Sequence, residues 1–144
     1  NASEILSIAS DDNKTKGVDA IHKVDQALET AMKLAHELNS IVVITGPVDL
    51  ITDGKSIIRC SNGHPLMGSI TGTGCAATAT IGAFAAVSVN MMYAAAAGLA
   101  FFGLAGEIAA EKAKSPGSFM IALIDALYEI TPEQFADRAL LEME

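Results

Sequence analysis

The chain has 144 residues, about one domain's worth, and its 51% hydrophobic and 18% charged residues support a large core and argue against disorder. Its formal net charge of −8 argues against a nucleic-acid surface, which needs a basic patch, but leaves room for a nucleotide held by backbone N–H groups. Two cysteines, Cys60 and Cys75, are too few for a disulfide framework or a zinc site and fit a reducing cytosol.

The sequence opens Asn1-Ala2-Ser3-Glu4. No basic segment leads into an apolar one there, so no signal peptide is expected. Residues 3–10 read as a short helix with Ile5, Leu6 and Ile8 inward. Residues 11–15 read as a polar loop and 17–19 as a turn. Residues 24–38 form the clearest amphipathic helix, with Val24, Ala27, Leu28, Ala31, Met32, Ala35 and Leu38 on one face. His22 and His36 fall on its surface.

The run Ile41-Val42-Val43-Ile44 is apolar on both faces. It reads as a central strand of a parallel sheet covered by helices on each side. Thr45-Gly46-Pro47 stops it, at the strand end where such sheets place ligands. Asp53-Gly54 lies between two short strand-like runs and signals a hairpin. Asn62-Gly63-His64-Pro65 is a further turn cluster.

From Cys60 to Gly106 there is no Asp, Glu, Lys or Arg. Residues 91–106 approach the roughly 20 apolar residues of a membrane span. The run is mostly Ala and Gly, however, and no basic cluster flanks it. The expectation is two closely packed buried helices, from about 74 to 89 and from 91 to 114, and no membrane. A helix over 119–130 is expected to turn Phe119, Met120, Leu123, Ile124, Leu127 and Tyr128 inward. Thr131-Pro132-Glu133-Gln134 is a capping box that opens a last helix carrying Phe135, Ala139 and Leu140 toward the body. Met91, Met92 and Met120 read as core.

The stretch Thr71-Gly72-Thr73-Gly74-Cys75 runs straight into a helical segment. The first N–H groups of a helix have no partner within it, and the helix dipole adds partial positive charge there. An anion fits such a place, and a cysteine in it sits in a field that favours its thiolate. No Gly-Lys-Ser/Thr follows, so this is not a Walker A loop. Spacing alone leaves an anion site and a tight packing turn level. Cys75 has three readings: a buried structural thiol, a nucleophile that needs a histidine base, or an acceptor for the proton of an attacking hydroxyl. Glu4 reads as a metal ligand or as a solvated or capping charge, and Asp49 and Asp53 as turn residues.

Several blocks occur in a telling order: Asn1-Ala2-Ser3-Glu4-Ile5, then Ile44-Thr45-Gly46-Pro47-Val48-Asp49, Asn62-Gly63-His64-Pro65-Leu66-Met67 and Ile70 through Cys75. Ser115-Pro116-Gly117-Ser118-Phe119 and Ile130-Thr131-Pro132-Glu133 follow. The chain resembles the hydroxyethylthiazole kinases along its whole length. The resemblance implies a ribokinase-like α/β fold, helices on a mainly parallel sheet, of which residues 1–144 form the C-terminal part of a single domain. It implies a cytoplasmic enzyme of thiamin synthesis that moves the γ-phosphoryl of ATP to 4-methyl-5-(2-hydroxyethyl)thiazole. The alternatives are another small-alcohol kinase, such as one for a hydroxymethylpyrimidine, and a non-catalytic nucleotide-binding fragment.

Carried over residue by residue, Gly72, Thr73 and Gly74 would form the anion hole for the transferred phosphoryl. Gly72 would also touch the thiazole, and Cys75 would face its hydroxyl. Thr45, with Gly46 beside it, would contact ATP, Asn1 would lie near the phosphates and Glu4 would help hold Mg²⁺ through water. Pro47 departs from the Glu common in the family. The larger departure is length, since the family's chains are nearly twice as long. This chain is therefore read as the C-terminal half of such a kinase, inactive alone and homotrimeric when joined to an N-terminal half.

Overall fold

The computed structural model describes residues 1–9 and 20–144. The expected loop at 11–15 and the turn at 17–19 lie outside the described residues, as does the side chain of His22. The elements in order are α1 (Ala2–Ala9), α2 (Ala20–Leu38), β1 (Val42–Ile44), β2 (Asp49–Thr52), β3 (Ile57–Cys60) and a 3-10 helix (Pro65–Ser69). Then come α3 (Thr73–Ala85), α4 (Met91–Lys112), α5 (Pro116–Glu129), α6 (Pro132–Arg138) and β4 (Leu141–Met143).

Three layers result, because the strands alternate their side chains between faces. Val42, Ile44, Leu50 and Ile57 point to a cluster with Ile5, Ala27 and Ala31 of α1 and α2. Val43, Ile51, Ile58 and Cys60 point to the larger cluster, built around Ala95, Leu99, Phe102 and Ala109 of α4 with Phe119 and Leu123 of α5. Apolar residues on both faces of β1 thus meet helices on both sides, as expected for an α/β sandwich, although β1, expected as a central strand, lies at one edge of the sheet among the described residues.

Strand direction differs from the expectation. The order is β1-β2-β3-β4 and every pairing is antiparallel, with Val43 opposite Ile51, Ile51 opposite Ile58 and Cys60 opposite Leu141. The connections at 45–48 and 53–56 are too short for anything else, since parallel neighbours need a crossover of roughly a dozen residues or more. Gly54, at φ +89°, closes the β2–β3 hairpin.

Other corrections concern what each helix hides. α3 ends at Ala85, and Ala77 is its only buried residue, so one of the two expected buried helices is half open. α4 is long and apolar enough to cross a membrane, but it is a core helix here, 72% buried in its apolar window. Met92 is buried, while Met91 and Met120 are exposed. α5 turns Phe119, Ala122, Leu123 and Ala126 inward and leaves Met120, Ile121, Ile124 and Tyr128 outside. The small alanines let α5 sit close to α4, which rotates the larger side chains out. On α2, Leu38 is exposed while Ala27, Ala31 and Ala35 are buried.

The Thr131 capping box forms as expected, with Gln134 N–H donating to Thr131 Oγ1 at 3.3 Å and Thr131 N–H donating to Gln134 Oε1 at 3.0 Å. The helix it opens stops at Arg138, and the chain then adds β4 to the sheet edge. Arg59 and Glu144 pair across that edge at 2.7 Å.

Candidate functional site

The helix α3 begins because Gly72 adopts φ +96° at its N-cap. A side chain in that conformation is strained, although a Cβ there would meet nothing within 4 Å. The glycine is needed for its backbone angle and not for space. No side chain caps the helix, and its first hydrogen bond runs from Ala76 N–H to the Gly72 carbonyl at 2.9 Å. The opening N–H groups of α3 therefore face outward without a side-chain acceptor. Gly74 is equally open, since a Cβ there would also meet nothing within 4 Å.

This helix end forms one wall of a cavity of about 530 Å³. Thr73, Gly74 and Ala77 come from α3, Thr45 and Gly46 from the end of β1, and Leu99, Phe102 and Gly103 of α4 form an apolar floor. The segment after β3 closes the far side with Asn62, His64 and Met67. Volume and lining suit a small-molecule site of the common kind, apolar with a few convergent polar groups.

Of the residues singled out from sequence, Thr45, Gly46, Thr73 and Gly74 line this cavity together. Gly72 and Cys75 flank the lining residues and are exposed. Cys75 is thus not a buried structural thiol; Cys60 is, and burial pushes its thiol up to about 11. Asn1 and Glu4 do not line the cavity. Glu4 belongs to α1, on the other side of the sheet from α4, and Asn1 precedes that helix, its Oδ1 accepting from the N–H groups of Ser3 and Glu4. Among the described residues no three His, Cys, Asp or Glu side chains gather as a metal cluster.

Asp49, read from sequence as a turn residue, does line the cavity. Its Oδ1 accepts from Gly46 N–H at 2.8 Å and so fixes the loop after β1. Burial holds its carboxyl above the usual range, and the bond from Gly46 works against that.

Sequence reasoning also passed over the mount of the far wall. Asn62, 5% exposed, donates to Glu107 Oε1 and to the Arg138 carbonyl, both at 3.0 Å, and accepts from Leu140 N–H at 2.7 Å. Gly63 N–H donates to the same Glu107 oxygen at 3.0 Å. Gly103 makes this possible, since a Cβ there would stand 2.5 Å from the Asn62 carbonyl oxygen. The sequence signal was the polar pair Asn62-Gly63 and the first charge after a long neutral run, Glu107, but their meeting depends on the fold.

A family model described as the hydroxyethylthiazole kinase family matches residues 1–133. The chain is similar to the hydroxyethylthiazole kinase of Desulfotalea psychrophila, 58% identical over 134 residues, covering 93% of this chain and 49% of that protein. It is 49% identical over 142 residues to the hydroxyethylthiazole kinase of Cereibacter sphaeroides (strain ATCC 17029), covering 99% of this chain and 54% of that protein. A solved structure, that of a hydroxyethylthiazole kinase protein from Pyrococcus horikoshii OT3, superimposes with a TM-score of 0.79 at 39% identity, over 85% of this chain and 48% of that one. The chain spans about half the length of the relatives it matches, 49% to 54%.

Proposed function

Because this chain belongs to the hydroxyethylthiazole kinase family, we propose that it carries the phosphoryl-transfer half of an enzyme that moves the γ-phosphoryl of ATP to the hydroxyl of 4-methyl-5-(2-hydroxyethyl)thiazole. The observation that supports this most is the shared cavity. It joins the loop after β1, at Thr45 and Gly46, to the uncapped start of α3, at Thr73 and Gly74.

In this reading the phosphates lie at the α3 end, where N–H groups and the helix dipole stabilise negative charge. Thr45 and Gly46 hold the nucleotide from the loop after β1. Gly72, Thr73 and Gly74 surround the transferred phosphoryl, and Gly72 touches the thiazole. Cys75, exposed beside them, faces the alcohol and takes its proton as the oxygen attacks. Phosphoryl transfer leaves little covalent work for a protein, so positioning and charge stabilisation carry the rate.

Mg²⁺ fits as an ion carried mainly by the phosphates, because it is commonly held by one or two carboxylates plus substrate oxygens. Glu4, which does not line the cavity, would supply one such carboxylate through water from the α1 side of the sheet, with Asn1 near the phosphates where these extend beyond the cavity. When bound, the ion would neutralise charge on the β- and γ-phosphates. Residues 1–144 form the C-terminal part of one ribokinase-like domain. Joined to an N-terminal half, it works as a cytoplasmic homotrimer.

Calorimetry with Mg-ATP tests the reading on this chain, alone and mixed with the N-terminal half of the Desulfotalea relative. Nucleotide binding and turnover of the thiazole alcohol are expected in the mixture. Turnover that favours a hydroxymethylpyrimidine would move the substrate assignment, and a mixture that binds nucleotide without turnover would make the chain a binding module. In the active mixture Cys75→Asp should retain activity, because a carboxylate also accepts a proton. Cys75→Ala should lose about 10²–10³ in rate, the range for losing a positioned proton acceptor or charge donor. Equal rates for the two variants would remove the proton-accepting role.

A further inference from the structure

His64 is the imidazole that lines the cavity, and the kinase reading gives it no task. Its Nδ1 accepts from Leu66 N–H at 3.2 Å, as the N-cap of the 3-10 helix. In a neutral imidazole the accepting nitrogen carries no proton, so the proton sits on Nε2. Nε2 has no partner among the described residues. The ring is half-buried and stands beside Phe119, centroids 6.3 Å apart.

The mount is rigid. Two residues before His64, Asn62 is tied to α4, to the end of α6 and to the segment entering β4, and Gly63 is tied to Glu107. A neutral side chain whose tautomer is set by its cap bond, on a clamped segment that lines a ligand-sized cavity and with its one N–H unpartnered among the described residues, is a preorganised donor. The neighbouring lining is apolar at Met67, Leu99 and Phe102, so a donor there stands out as a specificity element.

We propose that His64 contacts the nucleotide directly, its Nε2–H donating a hydrogen bond to an acceptor of the ligand that occupies this cavity. The inference rests on the reading of the cavity as the nucleoside triphosphate site. The acceptor is a base nitrogen, a sugar oxygen or a phosphate oxygen, and the choice of probe separates these.

His64→Asn is the discriminating variant. Asparagine is among the best N-cap residues, so its Oδ1 keeps the bond from Leu66 N–H, while the donor at the Nε2 position is lost. In the mixture with the Desulfotalea N-terminal half, His64→Asn should bind Mg-ATP about tenfold more weakly, with KM for ATP raised and kcat little changed. Its melting temperature should stay at the parent value, whereas His64→Ala, which loses cap and donor together, should fall in both. A penalty that persists with adenosine places the acceptor on the nucleoside; one that vanishes places it on a phosphate. As a check that needs no variant, the ¹⁵N–¹H signal of His64 Nε2 should shift on addition of Mg-ATP. Parent-like affinity of His64→Asn, or an unmoved Nε2 signal in a mixture that binds ATP, overturns the proposal and leaves the kinase reading standing. If the parent mixture binds neither ATP nor adenosine, the kinase reading falls and this inference with it.

Discussion

The helix α3 and the first part of α4 are both rich in alanine and glycine and both free of charge, yet they end in opposite surroundings. α4 buries Leu99, Ala100, Leu104 and Ala105 between the sheet and the flanking helices. α3 buries Ala77 alone and presents Gly74, Cys75, Thr78 and Ala79 to the outside. Their shared seam is tight: a Cβ on Gly98 would stand 2.9 Å from Ile81 Cα, and the rings of Phe84 and Phe101 are 5.6 Å apart. The absence of charge marks a surface that avoids bulk water. It does not say whether the chain itself covers that surface or holds it open for another group. Here α4 is a floor, and α3 brings an uncapped end and an exposed thiol to the cavity mouth.

Glycine replacement should split the two helices most sharply. Gly103→Ala puts a Cβ 2.5 Å from the Asn62 carbonyl oxygen and 2.6 Å from its carbon, backbone atoms of a residue whose side chain is tied on several sides. Overpacking of this kind costs about 1–3 kcal/mol. Gly82→Ala on α3 meets nothing within 4 Å. In a helix interior it should gain up to about 1 kcal/mol from propensity alone. Denaturant midpoints read both, and a Gly103→Ala variant as stable as the parent would show that the wall segment yields freely. The two thiols draw the same contrast. Cys75 is exposed and Cys60 is fully buried with its thiol held at about 11, so near pH 8 an alkylating reagent should label Cys75 first and Cys60 only on unfolding. Equal labelling in the folded chain would mean that the sheet opens at β3.

Much of this contrast was hidden in the sequence, and the reason is physical. Local signals were readable: the capping box at Thr131, the Asp53-Gly54 hairpin and the both-faces-apolar run at β1 are each decided by neighbours in the chain. Thr45, Gly46, Thr73 and Gly74, named together from the family resemblance and not from local signals, line one cavity. What failed depended on distant partners. The strand β4 exists because Arg59, Ser61 and Asn62 receive it across the sheet edge, and nothing at 141–143 announces them. The sides of α5 were misjudged because period alone ranks Met120 and Ile124 above Ala122 and Ala126, whereas close packing on α4 prefers the small residues. Asp49 read as a turn residue for the same reason, since its hydrogen bond to Gly46 is local but its place in the cavity wall is not.

Asp49 gives the smallest effect and the finest test of the space between the two helices, where α4 supplies the apolar floor and α3 the mouth. Burial raises its carboxyl above the ordinary value of 3.8, and the bond from Gly46 only partly offsets this. The folded chain therefore holds the Asp49 proton to a higher pH than the unfolded chain does. In that window, from the ordinary value up to the raised one, stability falls as pH rises, because folding then confines a charge in a poorly solvated place. Asp49→Asn keeps an oxygen to accept from Gly46 N–H and removes the charge. It should be more stable than the parent near pH 7, and the gap should close as the pH falls toward about 4, where the unfolded carboxyl also binds its proton. Denaturant midpoints of both chains across that range measure it. A gap that does not vary with pH would mean that water reaches Asp49 freely, and that the cavity wall beside Thr45 is open in solution.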